Sequence, residues 1–272
     1  MMFWFFTALT GWMGLPEEAR DVNKIEIIAH RGESADAPEN TMAAFLLAWE
    51  RDVEAIELDV HLTRDGRLVV IHDPDTMRTT GVPMTVKEST LEELQRLDAG
   101  NWKGPEWEGE KLPELSEVLA TIPEGKRCFI EIKVGPEAVP ETIRAIEASG
   151  KAPEQLVIIS FNVDTIAEAK RCLPEIPAYY LSSFHQGWYN SDWMPTAESL
   201  IETAEQINAD ALNVSYRGPI DREFVEKIKK AGYDFYVWTV DDAEEARRLI
   251  EIGVDGITTN KAQWLREQLL KD

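Results

Sequence analysis

From Ile25 onward the chain alternates short β-branched or apolar runs with amphipathic helical stretches, and one link between two such runs is too short to be a crossover. The strand candidates are "IEIIAH", "AIELDV", "LVVIHD", "RCFIEIK", "LVIISF", "AYYLS", "ALNVSY", "DFYVWTV" and "VDGITT". Between most of them lie helix patterns such as "DREFVEKIKKAG" and "DDAEEARRLIEIG", whose acidic starts and Gly ends mark helix boundaries. This alternation argues for a parallel α/β architecture. Parallel neighbours need a crossover of about a dozen or more residues. Only "HLTRDGR" separates "ELDV" from "LVVIHD", and its Asp65-Gly66 is a strong hairpin signal. "LVVIHD" is therefore expected to fold back antiparallel, leaving eight parallel strands: a TIM (β/α)8 barrel with a short insertion after the second strand.

The turn-rich stretch of about 74–113, with one short helix at "TLEELQRL", is that insertion. Residues 25–272 otherwise read as a single domain. Residues 1–24 begin with an apolar run too short to span a bilayer comfortably. The run lacks a basic n-region and an A-x-A-like cleavage site. It reads equally as an export signal, which would place the protein in the periplasm or outside, or as an apolar cap on a cytoplasmic fold. No stable membrane insertion is expected.

Charge bears on partners. The chain carries 28 Lys plus Arg against 50 Asp plus Glu, a net charge of −22. Such a surface repels phosphate backbones, so nucleic-acid binding is not expected. An anionic substrate would need local charge reversal by a metal or a few buried cations. Cys128 and Cys172 lack metal-like spacing and read as small buried hydrophobes.

In a TIM barrel the chemistry lies at the C-terminal ends of the strands. Those ends are "AHRGE" (His30, Arg31), "ELD" (Glu57, Asp59), "EIK" (Glu131, Lys133), "SFN" (Ser160), "LNVS" (Asn213), "VWT" (Trp238) and "TTN" (Thr259, Asn260). Residues two apart on a strand share a face. Glu57 and Asp59 thus point together, as do Glu131 and Lys133, while Ile56, Leu58, Ile130 and Ile132 face the outer helices. Three carboxylates gathered at one mouth repel one another. A divalent cation relieves this, and an all-oxygen shell suits Mg²⁺ or Ca²⁺ rather than zinc; the competing reading is a set of salt bridges with Arg31 and Lys133. Of only four histidines, His30 and His72 converge on this mouth, and such a pair can supply a general base and a general acid. His61 is expected at the surface, facing away from Glu57 and Asp59. His185 reads as a lid or surface residue.

The set "AHRGESADAPENTMAAF", "EAIELDVHLTRDGRLVVIHDP", "FIEIK" and "VWTV", in that order, resembles the glycerophosphodiester phosphodiesterases from about Ile25 to Thr259. The resemblance makes residues 25–272 the catalytic domain. It implies hydrolysis of glycerophosphodiesters such as glycerophosphocholine to sn-glycerol 3-phosphate and an alcohol, with one divalent cation. By that pattern His30 and His72 are the acid–base pair, and Glu57, Asp59 and Glu131 hold the metal. Arg31 grips the phosphate, and Lys133 adds charge there or orients the carboxylates. Trp238 walls the glycerol carbons or fills the barrel. In "PENT", Asn40 is expected to cap the first helix and Glu39 to stand behind the mouth. The ending "TTNKAQWL" departs from the family's Thr-Asp-x-Pro-like ending, which puts the local shape near Thr259 and Asn260 in doubt. Two rivals are an enzyme of the same chemistry acting on lysophospholipids or phosphoinositols, for which Trp102, Trp107 and "GWYNSDWM" could supply an apolar groove, and a non-catalytic binding barrel.

Overall fold

The computed structural model of the 272-residue chain describes residues 24–187 and 192–271, so the N-terminal apolar run and part of "GWYNSDWM" lie outside the described residues. Among the described residues eleven strands run in chain order: β1 (Glu26–His30), β2 (Ala55–Leu62), β3 (Leu68–Val70), β4 (Arg127–Ile132), β5 (Leu156–Ser160), β6 (Ala178–Ser182), β7 (His185–Gln186), β8 (Trp193–Met194), β9 (Ala211–Ser215), β10 (Asp234–Trp238) and β11 (Gly256–Thr259). The helices are α1 (Met42–Glu50), α2 (Met77–Thr80), α3 (Leu91–Gln95), α4 (Leu115–Thr121), α5 (Val139–Ser149), α6 (Val163–Cys172), α7 (Ala197–Ile207), α8 (Arg222–Lys230), α9 (Ala243–Ile252) and α10 (Ala262–Leu269).

Eight of these strands pair in parallel in the order β1, β2, β4, β5, β6, β9, β10, β11, and β11 pairs with β1 to close a barrel. All nine strand candidates form. As the short link requires, β3 returns antiparallel on β2, with Val60 opposite Val70 and Leu62 opposite Leu68. The two-residue pair β7–β8 was not anticipated; strands this short carry no periodicity to read.

Strand alternation divides the core in two. Ile56, Leu58, Ile130 and Ile132 point outward and are buried with Leu115, Val118, Leu119 and Ile146 of the helical layer. Phe129, Tyr179 and Tyr236 fill the barrel from inside, their rings meeting edge-on or tilted 5.0 to 5.9 Å apart. Below them Arg127 donates to Glu26 at 2.6 Å and to the Tyr179 hydroxyl at 3.3 Å, plugging the end opposite the strand tips. The insertion has its own small core, in which Val86, Leu91, Leu94, Ala99 and Leu112 pack against Val69 and Ile71. This core seats the insertion on the hairpin that carries His72. Among the described residues, no helix is long and apolar enough to cross a membrane.

Two expectations are corrected. Asn40 does not cap α1: the cap is Thr41, whose hydroxyl accepts from Ala44 N, while Asn40 sits in the left-handed region at φ 57. His61 is not at the surface but 8% exposed. Two residues beyond Asp59, it shares that residue's face by the strand period, and its Nε2–H donates at 3.0 Å to the carbonyl of His72, which the chain beyond β3 brings over it.

Candidate active site

The first turn of the site comes from "HRG". Gly32 has φ 78, and a Cβ there would lie 2.6 Å from the carbonyl carbon of Ala44; only glycine lets this turn press on α1. Arg31, at φ 55, turns its amide N–H inward to donate to Glu57 Oε2 at 3.0 Å. Its side chain returns over the mouth, with Nη1 donating to Glu39 Oε1 at 2.8 Å and Nε 3.2 Å from Asp59 Oδ2. Asn40 clamps Asp59 from the other side, donating to Oδ2 at 2.8 Å and accepting from the Asp59 amide at 3.3 Å. Its left-handed backbone, which Asn tolerates better than most residues, is what aims the amide there.

The structure brings Glu57, Asp59 and Glu131 together: one oxygen from each lies within 4.8 Å of the others, and all three residues are buried. Lys133 Nζ donates to Glu131 Oε1 at 2.7 Å and lies 3.4 Å from Asp59 Oδ1. The three acids do not share their charge equally. Burial alone would raise Asp59, but Arg31 and Lys133 overcome it and hold the carboxyl at about 2. Burial and the neighbouring Asp59 charge push Glu131 up to about 7. Glu57, fully buried beside both acids, is raised well above its ordinary range. Glu57 Oε1 is buried without a hydrogen-bond partner among the described residues. Clustered hard oxygens, two of them (Glu57 Oε1 and Asp59 Oδ1) buried without a hydrogen bond among the described residues, fit a divalent cation.

These shifts have a pH consequence. Between 4.5 and about 7 the folded chain holds a proton on Glu131 that the unfolded chain has released. Unfolding is then favoured as pH climbs, so the ion-free fold weakens across that window. The same proton competes with a cation below about pH 7. The rise in melting temperature given by a fixed concentration of Mg²⁺ or Ca²⁺ is therefore expected to be larger at pH 8 than at pH 6. Equal shifts at both pH values would show that Glu131 is no ligand.

His30 ends β1 with Nδ1 2.7 Å from Asn260 Oδ1 and Nε2 3.9 Å from Glu57 Oε2. Burial, reinforced by Arg31, holds its imidazole down at about 4. His72 follows β3 with Nδ1 2.7 Å from Asp73 Oδ1. Arg78 of α2 fixes that carboxylate through Oδ2 at 2.6 Å and forks onto both oxygens of Glu39 at 2.8 Å. One guanidinium of the insertion thus ties the His72 partner to the Arg31 partner.

All six polar groups, His30, Arg31, Glu57, His72, Glu131 and Lys133, face one open cavity of about 590 Å³. Its other wall is apolar: Ile159, Phe161, Leu181 and Trp238. Trp238 stacks edge-on against Phe161 at 5.6 Å and anchors its Nε1–H on the Asn213 carbonyl at 3.3 Å. Ser160 turns its hydroxyl to the Ile132 carbonyl, and His185 is exposed on β7. Asn260, Asp241, Asp73 and Arg78 had no role in the sequence reading. "TTN" and "HD" mark two of them as polar strand ends; nothing marks Arg78.

A barrel whose mouth pairs a cation-fitting acidic cluster with two imidazoles and two fixed cations is the class of a phosphodiester hydrolase. The chain belongs to the glycerophosphoryl diester phosphodiesterase family, whose model matches residues 30–263. It is 39% identical over 251 residues to a glycerophosphodiester phosphodiesterase of Caldanaerobacter subterraneus subsp. tengcongensis, covering 89% of this chain and 96% of that one. A glycerophosphodiester phosphodiesterase of Bacillus subtilis is 30% identical over 258 residues, covering 88% and 84%. Among solved structures, an Oleispira antarctica phosphodiesterase in complex with the product sn-glycerol-3-phosphate superposes with a TM-score of 0.82 at 30% identity, covering 90% of this chain and 96% of that one.

Proposed function

We propose that the protein hydrolyses glycerophosphodiesters to sn-glycerol 3-phosphate and an alcohol, with residues 25–272 as one catalytic domain and 74–113 as its insertion. The observation that carries this reading is the two-sided cavity: charged groups suited to a phosphodiester on one wall, an apolar surface suited to glycerol carbons on the other. Glu57, Asp59 and Glu131 would hold one Mg²⁺ or Ca²⁺, which supplies charge stabilisation to the phosphoryl oxygens. Arg31 is positioned by Glu39 and Asp59 to bind the phosphate, and a planar guanidinium suits two of its oxygens at once. Lys133 fixes the Glu131 and Asp59 carboxylates. Trp238, backed by Phe161, walls the glycerol.

The two histidines differ in what holds them. His30 rests on a neutral carboxamide and is kept uncharged by burial and Arg31, as a general base must be. His72 rests on the Asp73 carboxylate, which fixes the ring through Nδ1 and leaves Nε2 to serve as the acid that protonates the departing alkoxide. The test is a panel of glycerophosphocholine, glycerophosphoinositol and lysophosphatidylcholine. Glycerophosphocholine and glycerophosphoinositol are expected to release sn-glycerol 3-phosphate faster than the lysophospholipid releases its phosphorylated glyceride. Phe161, 44% exposed at the rim, favours the lipid rival. Faster turnover of lysophosphatidylcholine would decide for it.

A further inference from the structure

We propose that Asn260, locked by Asp241, is a positioning residue that sets which nitrogen of His30 carries the proton. The two residues follow β11 and β10, and Asn260 stands 230 positions from His30 in sequence. Asp241 accepts three hydrogen bonds: from the Thr259 hydroxyl at 2.8 Å, from the Asn260 backbone N–H at 2.8 Å and from Asn260 Nδ2 at 2.6 Å. An ionised carboxylate only accepts. The amide NH₂ of Asn260 must therefore face Asp241, and the carbonyl Oδ1 must face the other way. There it meets His30 Nδ1 at 2.7 Å and the Ser34 hydroxyl at 3.0 Å.

A carboxamide oxygen cannot donate. In the neutral ring His30 Nδ1 must then bear the hydrogen, which leaves Nε2 as the lone-pair nitrogen. Nε2 stands 3.9 Å from Glu57 Oε2, too far for a hydrogen bond, so it is not engaged by that carboxylate. It belongs to a residue lining the cavity, where a reacting hydroxyl or water has to lose its proton. Had the carboxamide been reversed, its NH₂ would have called for a lone pair on Nδ1 and placed the proton on Nε2. Asp241 forbids that arrangement through its bond to Nδ2, while the Thr259 hydroxyl and the Asn260 backbone N–H hold the carboxylate in place. It therefore acts on His30 through Asn260 and touches no reacting atom.

The inference rests on His30 as the base, and the experiment separates the two. In protein carrying ¹⁵N-labelled histidine, the four imidazoles are resolved, and the His30 signal is assigned by its loss in His30→Gln. Wild type is expected to show His30 protonated on Nδ1. Asn260→Ala is expected to show a mixture of both ring forms, with kcat on glycerophosphocholine down about 10- to 100-fold and KM little changed. The exchanged pair N260D/D241N keeps the net charge of the pair and an accepting oxygen opposite His30 Nδ1, while the bond between positions 260 and 241 reverses its direction. It is expected to return the proton to Nδ1 and to recover most of kcat. The proposal is overturned if Asn260→Ala leaves the ring form unchanged, or if the exchanged pair recovers neither signal nor rate. A wild-type protein without turnover would instead strike the functional reading, and the nitrogen spectrum would still decide the positioning.

Discussion

Replacing either His30 or His72 with alanine is expected to lower kcat on glycerophosphocholine by about 10²- to 10⁴-fold, the usual worth of one proton-transfer group. Neither imidazole carries the fold. His30 makes one side-chain hydrogen bond, to Asn260, and His72 makes one, to Asp73. Melting temperatures should therefore stay near wild type, as should the shift given by a divalent cation. In the proposed mechanism both rings act in one reaction, so the double variant is expected to lose far less than the product of the single losses. Full activity in both single variants would remove the acid–base pair from the account.

The acidic cluster gives the second large effect, and its members are expected to move stability in opposite directions. Asp59 is fully buried and anchors Arg31, Lys133 and Asn40. Asp59→Ala leaves two cations without their shared anion, and breaking a buried pair in this way costs about 3–5 kcal/mol. Glu57 is the reverse case. It is buried beside two like charges, with Oε1 unsatisfied, so its ionised form strains the ion-free fold. Glu57→Gln keeps the shape and removes the charge. Without cation at pH 8 it is expected to melt higher than wild type, by about 2–4 °C for each kcal/mol relieved. Added Mg²⁺ or Ca²⁺ should then no longer raise its melting temperature, and turnover should be lost. Stability gained where activity is lost marks residues kept for chemistry rather than folding. A Glu57→Gln protein that is less stable than wild type and still stabilised by the cation would place Glu57 outside any metal shell.

Much of this was legible in the chain because strands have a period of two. That period alone put Glu57 with Asp59 and Glu131 with Lys133, and sent Ile56, Leu58, Ile130 and Ile132 to the helical layer. Loop length did the rest for β3, since a link as short as "HLTRDGR" cannot cross over a sheet. What escaped were contacts made across the barrel or through unusual backbone. Asn40 looked like a cap because it precedes a helix, and its left-handed φ, invisible in sequence, sends it to Asp59 instead. His61 was set on the wrong face: the same period of two puts it with Glu57 and Asp59, where the chain returning through His72 buries it. Asn260 and Asp241 reach His30 only once β10, β11 and β1 stand side by side. Arg78 belongs to an insertion whose docking no local pattern reveals. Which side chains share the mouth was readable one strand at a time; their supports were not.

The central claim, a cation-dependent diester hydrolase at this mouth, meets its most direct test in the ³¹P spectrum of glycerophosphocholine incubated with the protein. With Mg²⁺ or Ca²⁺ present, the diester resonance is expected to give way to that of sn-glycerol 3-phosphate. EDTA should stop the conversion, and excess cation should restore it. Undiminished conversion in EDTA, or an unchanged diester with the cation bound, would contradict the account.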